Sequence, residues 1–233
     1  MQGLNFLLAG LIQLAIAIYG TFQIRKRFTV YALLVLIVVY GLAYDNLSIA
    51  AGAVLHEGDL LRALNVPRFV IHALTTPTMI ISAFGALRLT GSKFAQSKLW
   101  HTGLCILATA LIALGSYKDI LNLTLVPKVE NGLTRYLNAF VLFKGPPIPA
   151  VVTVILTLVF GVVLWKNTKF PWLFIASVLE FAAAGAVGLL LLQNIGEIAF
   201  SAGLVATQVF AAQYMYDGER IMMRGQKPLR TQG

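Results

Sequence analysis

Apolar stretches long enough to cross a lipid bilayer recur along almost the whole chain. A transmembrane helix needs about 20 consecutive, mostly apolar residues, and several segments meet that requirement. They are Leu4–Ile24, Thr29–Leu55, Phe69–Leu89, Leu99–Tyr117, Ile148–Trp165, Pro171–Gln193 and Ile195–Tyr216. The sequence therefore predicts an all-α fold, a polytopic membrane bundle of about seven transmembrane helices in one domain over residues 1–217.

The composition agrees with a lipid environment. Of the 233 residues, 58% are hydrophobic and 12% are charged, whereas soluble domains are about 45–50% apolar and about 25% charged. A soluble protein of this length could not cover its surface with so few charges. We therefore expect an integral, multi-pass protein of a bacterial inner membrane or an organelle membrane, with membrane lipids as its partners.

The basic residues are distributed as topology signals. The net charge is +9, but the Lys and Arg residues stand in short groups between apolar segments, as juxtamembrane anchors do, so we expect no nucleic-acid partner. Arg25, Lys26 and Arg27 follow the first segment and place that end in the cytoplasm. Continuing the alternation gives twelve basic residues inside: Arg25, Lys26, Arg27, Arg88, Lys93, Lys98, Lys166, Lys169, Arg220, Arg224, Lys227 and Arg230. Six fall outside: Arg62, Arg68, Lys118, Lys128, Arg135 and Lys144.

This asymmetry predicts an outer N-terminus and a cytoplasmic C-terminus, with residues 218–233 as a basic cytoplasmic tail. The last two segments are almost continuous, and Asn194 and Gly196 are the expected turn between them. Pro77 interrupts the third segment, because proline cannot donate the helical hydrogen bond to the carbonyl four residues earlier. We expect a kink there, beside His72.

One long connection, Lys118–Pro147, lies outside. Within it, Gly132–Phe143 places Leu133, Leu137 and Phe140 at helical spacing, which predicts a short interfacial helix or lid over the outer mouth of the bundle. A packed connector is the equal alternative.

Ionisable side chains inside the apolar segments indicate where a functional site should lie. Charged groups are costly in hydrocarbon and usually face a bundle interior or a cavity. Asp45, Glu180 and Glu197 lie within predicted spans, and none of those spans contains a central Lys or Arg. We therefore expect unpaired carboxylates that converge on a polar pocket, most of it in the outer half of the bundle.

Helical spacing and depth select the candidate residues. The catalytic candidates are Asp45, His72, Glu197 and Tyr117, with Tyr117 positioning the substrate. The substrate-binding candidates are Asn46, Thr76, Ser201 and Glu180. His72 could equally be an interhelical hydrogen-bond donor.

The sequence gives little support for a metal centre. His56, Glu57, Asp59 and His72 could supply mixed nitrogen and oxygen ligands, but their spacing matches no metal motif, so we expect no metal. The single cysteine, Cys105, excludes an internal disulfide and a multi-thiolate site. The sequence does not specify a cofactor.

Three functions fit these features. The first is an enzyme that acts on a lipid or isoprenoid-like substrate by carboxylate and histidine acid–base chemistry. The second is a small-solute or proton/cation-coupled transporter or channel. The third is a non-catalytic membrane subunit of a larger complex. The sequence alone leaves open whether the protein is an enzyme, which ligand it binds, and its oligomeric state.

Overall fold

The structure is a computed structural model that describes residues 2–142, 145–186 and 189–223. It is predominantly helical. The α-helices are α1 (Gln2–Ile24), α2 (Val30–Leu55), α3 (Asp59–Thr75), α4 (Thr78–Leu89), α5 (Lys98–Ser116), α6 (Ile148–Thr168), α7 (Trp172–Gly185) and α8 (Leu190–Met223). A short 3₁₀ turn, Phe94–Gln96, precedes α5, and a π-turn, Tyr117–Leu121, follows it.

Several of these helices are long and apolar enough to cross a membrane. Within the described residues there are five such helices, or six when the bent pair α3 and α4 is taken as one span. Helix α7 is apolar but has only 14 residues. A helix needs about 20 residues to cross a bilayer, so α7 is too short by this criterion. The chain is thus a multi-helix membrane protein, while the count of seven spans and the orientation stay predictions.

The third span begins earlier than predicted and ends at Leu89, as predicted. Helix α3 begins at Asp59, ten residues before the predicted start at Phe69. Asp59 in the first turn interacts favourably with the positive end of the helix dipole, and the helix continues through Pro67. The kink expected at Pro77 is confirmed, because α3 and α4 meet there at an angle of 42°.

The predicted interfacial helix over Gly132–Phe143 is wrong. This region forms a β-hairpin of two antiparallel strands, β1 (Leu125–Glu130) and β2 (Leu133–Asn138). Asn131 and Gly132 connect the strands with φ of 49° and 77°, and an Asn-Gly pair with positive φ at both positions suits a tight hairpin turn. We call the end of the bundle that carries this hairpin the hairpin end.

The turn expected at Asn194 and Gly196 is also wrong, because both residues lie inside α8. Helix α7 ends earlier, at Gly185. A Cβ on Gly196 would overlap Ala183 of α7. This glycine therefore allows two helices to pack closely, and it does not form a turn.

Helix α8 packs against α1, α2, α4 and α7, which makes it the central element of the bundle. The main core cluster is apolar and includes Phe84, Phe160, Leu164, Leu173 and Leu204, all of them buried. The helix continues beyond the predicted seventh span to Met223. Most of the predicted tail, from residue 224 onward, lies outside the described residues.

Candidate functional site

The central contact of the candidate site is a buried ion pair between α2 and α3. The Arg68 Nε atom donates to the Asp45 Oδ1 atom over 2.6 Å, and both side chains are only 10% exposed. The expectation that Asp45 is an unpaired acid is therefore wrong. Arg68 was assigned to an outer loop, but the early start of α3 places it inside the bundle.

The guanidinium of Arg68 also connects the helices to the β-hairpin. Its Nη1 atom donates to Asn65 Oδ1 and, over 3.5 Å, to the carbonyl oxygen of Tyr136. The Tyr136 amide in turn donates to Asn65 Oδ1 over 3.4 Å. These bonds satisfy buried polar groups that would otherwise destabilise the fold, and they fix the position of Asp45.

His72 lies one helical turn after Arg68 and on the same face of α3. Its Nε2 atom is 3.5 Å from Asp45 Oδ1, the oxygen that Arg68 also contacts. The His72 side chain is 41% exposed, whereas those of Asp45 and Arg68 are each 10% exposed. Asp45 therefore contacts an imidazole that is partly open to its surroundings.

That open space consists of two adjoining cavities. The first, of about 260 Å³, lies towards the hairpin end and is lined by residues that include Phe69, Leu114 and the charged pair Lys118 and Asp119. The second, of about 250 Å³, lies deeper, between α2, α3, α6, α7 and α8. Four residues line both cavities: His72, Thr76, Pro147 and Ala150. His72 therefore stands where one cavity meets the other.

Two carboxylates from different helices line the second cavity. They are Glu180 of α7 and Glu197 of α8. Glu197 Oε2 accepts a hydrogen bond of 3.1 Å from Asn46 Nδ2, and the same amide nitrogen donates to Gln13 Oε1 over 2.8 Å. Glu180 Oε2 is enclosed and has no hydrogen-bond partner among the described residues.

The remaining predicted site residues differ in whether they line the two cavities. Thr76 lines both cavities. Ser201 is fully buried one turn after Glu197, and its hydroxyl has no partner among the described residues. Tyr117 packs edge-on against Phe140 with ring centroids 6.2 Å apart and is not part of the lining of either cavity. The geometry thus brings His72, Glu180 and Glu197 together, with Asp45 and Asn46 behind them.

Sequence reasoning missed Arg68, Asn65 and Gln13. A usable signal existed on α3, since Asn65, Arg68 and His72 are spaced i, i+3 and i+7, which places them on one helical face. The helix continues through Pro67, although proline is more common at the start of a helix. Gln13 stands alone in an apolar segment and gave no comparable signal.

In the part of the chain that the structure describes, no three His, Cys, Asp or Glu side chains are grouped so that they could hold a metal ion. His56, Glu57, Asp59 and His72 thus do not form the mixed site considered above. The sequence matches no protein-family model, and comparisons with curated proteins and with solved structures gave no significant match. The function must therefore be argued from the site itself.

Proposed function

We propose that the protein is a membrane-embedded enzyme that transfers protons to and from a lipid-like substrate inside the bundle. The observation that supports this most is the position of His72. Its imidazole is 3.5 Å from a buried aspartate on one side and lines two cavities on the other. A carboxylate that orients a histidine in this way is a recurring arrangement for general acid–base catalysis.

The residues divide into two roles. His72 accepts or donates the proton at the substrate, and Asp45 positions it while being held by Arg68. Glu197, which also lines the second cavity, is the partner that completes an acid–base pair with His72. Glu180 lines the same cavity.

The walls of the cavities favour an apolar substrate. Apart from the polar groups, the second cavity is lined by side chains such as Val38, Leu42, Ile71 and Phe200. Ligand sites for small molecules are typically about 300–1,000 Å³, mostly apolar, with a few polar groups that fix orientation. Two adjoining cavities of about 260 and 250 Å³ together provide such a site for a chain-like molecule.

A proton-transfer enzyme can be tested without knowing its substrate. Purified protein in liposomes is incubated with a total membrane lipid extract in D₂O, and mass spectrometry records deuterium incorporation or product formation. We expect an activity that falls by at least about 10²-fold in His72→Asn and in Glu197→Gln, because general acid–base groups contribute about 10²–10⁴-fold.

Matched controls exist on the same chain. His101→Asn removes a histidine on α5 that lines neither cavity of the site, and Glu57→Gln removes an exposed carboxylate. Both variants should keep the activity. If the wild type gives no exchange in any lipid fraction, or if His101→Asn reduces it as much as His72→Asn, the proposal is wrong.

A proton- or cation-coupled carrier is the second candidate, because no donor among the described residues reaches the enclosed Glu180 Oε2. A carrier needs a polar path to the opposite end of the bundle. Gln208, which could extend such a path, instead donates to the Ser82 carbonyl oxygen over 2.9 Å. Uptake of solute or H⁺ into sealed liposomes, lost in Glu180→Gln, would favour this candidate over the enzyme.

A further inference from the structure

The second cavity contains an enclosed carboxylate oxygen that lacks a hydrogen-bond donor. Glu180 lines this cavity, and its Oε2 atom has no partner within the described part of the chain. Around Glu197 the described residues leave unpaired groups of both kinds, because Asn46 Oδ1 is an acceptor while Gln13 Nε2 and the Ser201 hydroxyl can donate. Buried polar groups are almost always satisfied, so Glu180 Oε2 lacks a donor that a ligand in the cavity could supply.

The distribution of charged side chains near the hairpin end also favours a ligand with a positive charge. Arg68 is paired with Asp45, and Lys118 is 3.5 Å from Asp119. Glu180 and Glu197 have no such partner among the described ion pairs. The lining of the second cavity holds two carboxyl groups and one imidazole, so its acidic groups outnumber its basic group. A phosphate or carboxylate headgroup would therefore be repelled there, and a positive charge would be attracted.

The size and walls of the cavity distinguish an organic cation from a bare ion. A volume of about 250 Å³ is several times the share of about 30 Å³ that one water occupies in the liquid. Hard cations such as Ca²⁺ require six to eight oxygen ligands, but most of the wall is hydrocarbon. Phe200 adds an aromatic ring to this wall, and aromatic rings attract organic cations.

We propose that the second cavity binds a protonated amine attached to an apolar chain, with the ammonium between Glu180 and Glu197 and the chain extending past His72 towards the first cavity. The N–H groups of an ammonium supply a donor for Glu180 Oε2 and a positive charge between two carboxyl groups. This inference rests on the proposed function only in using the same site, since it names the class of ligand and not the reaction.

The test compares four probes of equal chain length by isothermal titration calorimetry on the full protein in nanodiscs, with empty nanodiscs as the partitioning control. The probes are octylammonium, octyltrimethylammonium, 1-octanol and octanoate. We expect octylammonium to bind at least about tenfold more tightly than the other three, because only it offers both charge and donors.

Variants assign that preference to the two carboxylates. Glu180→Gln keeps the shape of a side chain whose Oε2 atom has no hydrogen bond to the described residues, so the variant should fold. It should reduce the octylammonium preference by about tenfold. Glu57→Gln should leave the preference unchanged. Equal binding of octylammonium and octanol, equal binding of the two cations, or a preference that Glu180→Gln leaves intact would overturn the proposal.

The two proposals fail separately. If octylammonium is preferred but no His72-dependent deuterium exchange occurs, the ligand class stands and the enzymatic function falls. If exchange depends on His72 but all four probes bind alike, the function stands and the ligand class falls.

Discussion

Arg68→Met should be among the most destabilising single substitutions in this protein. The substitution leaves the Asp45 carboxylate in the bundle with His72 as its remaining partner, and the Asp45 side chain is only 10% exposed. Removing one member of a buried ion pair typically costs about 3–5 kcal/mol, because the other charge stays buried without compensation. Asn65 Oδ1 and the Tyr136 carbonyl oxygen also lose a donor.

The double variant Asp45→Asn/Arg68→Met separates the charge from the hydrogen bonds. With both charges removed, the remaining cost is that of acceptors left without a donor, about 1–3 kcal/mol. The double variant should therefore lose far less stability than the sum of the two single variants, which is the signature of a coupled pair.

The assay is the free energy of unfolding in mixed micelles titrated with SDS and followed by circular dichroism. Lys128→Met serves as the control, because Lys128 is 46% exposed in its pair with Glu130 and exposed pairs contribute about 0–1 kcal/mol. If Arg68→Met costs less than about 1 kcal/mol, or if the Asp45 and Arg68 effects simply add, the ion pair does not organise the site.

Two further predictions concern the hairpin and its contact with α2. Gly52→Ala should lower the free energy of unfolding by about 1–3 kcal/mol, because the added Cβ would overlap the Thr134 carbonyl oxygen. Gly103→Ala is the control and should be neutral or stabilising, because no atom of the described residues lies within 4 Å of its added Cβ. Equal losses of stability in SDS titrations would contradict this. The hydrogen bond from Lys128 holds the pKa of Glu130 below its ordinary value. The stabilisation from this carboxylate should therefore be complete above the ordinary Glu pKa and disappear as pH falls through the lowered one. Carboxyl NMR titration should show the Glu130 pKa rising in Lys128→Met, and an unchanged value would refute the assignment.

The helical, membrane-embedded character of the chain was predictable because it depends on composition and on the length of apolar segments. The sequence also allowed us to expect that polar groups meet inside the bundle. Exposing Asp45 or Glu197 to hydrocarbon is costly in any arrangement of the helices. His72, Glu180 and Glu197 do line one cavity.

The pairing of Asp45 was not predicted because it depends on where α3 begins. Taking Phe69 as the start of the span left Arg68 in a loop, and only the longer helix places it opposite Asp45.

The hairpin was missed for a different reason. Leu133 and Leu137 fit a helical repeat, but their even separation also fits one face of a strand, and the Asn131-Gly132 pair favours the strand interpretation.

The position of Gly196 illustrates a limit of local reasoning. Glycine can mark a turn or allow close helix packing, and the sequence around it is compatible with both. The partner that decides between them, Ala183, lies on another helix.

The most direct test of the site is the chemical accessibility of Thr76, which lines both cavities. In a Cys105→Ser background, which removes the single native cysteine, Thr76→Cys is treated with a charged, membrane-impermeant thiol reagent in nanodiscs. Ser82→Cys is the control, because Ser82 is fully buried and its hydroxyl donates to the Tyr31 carbonyl oxygen. We expect rapid modification at position 76 and none at position 82; a Thr76→Cys variant as unreactive as Ser82→Cys would contradict a water-accessible cavity beside His72.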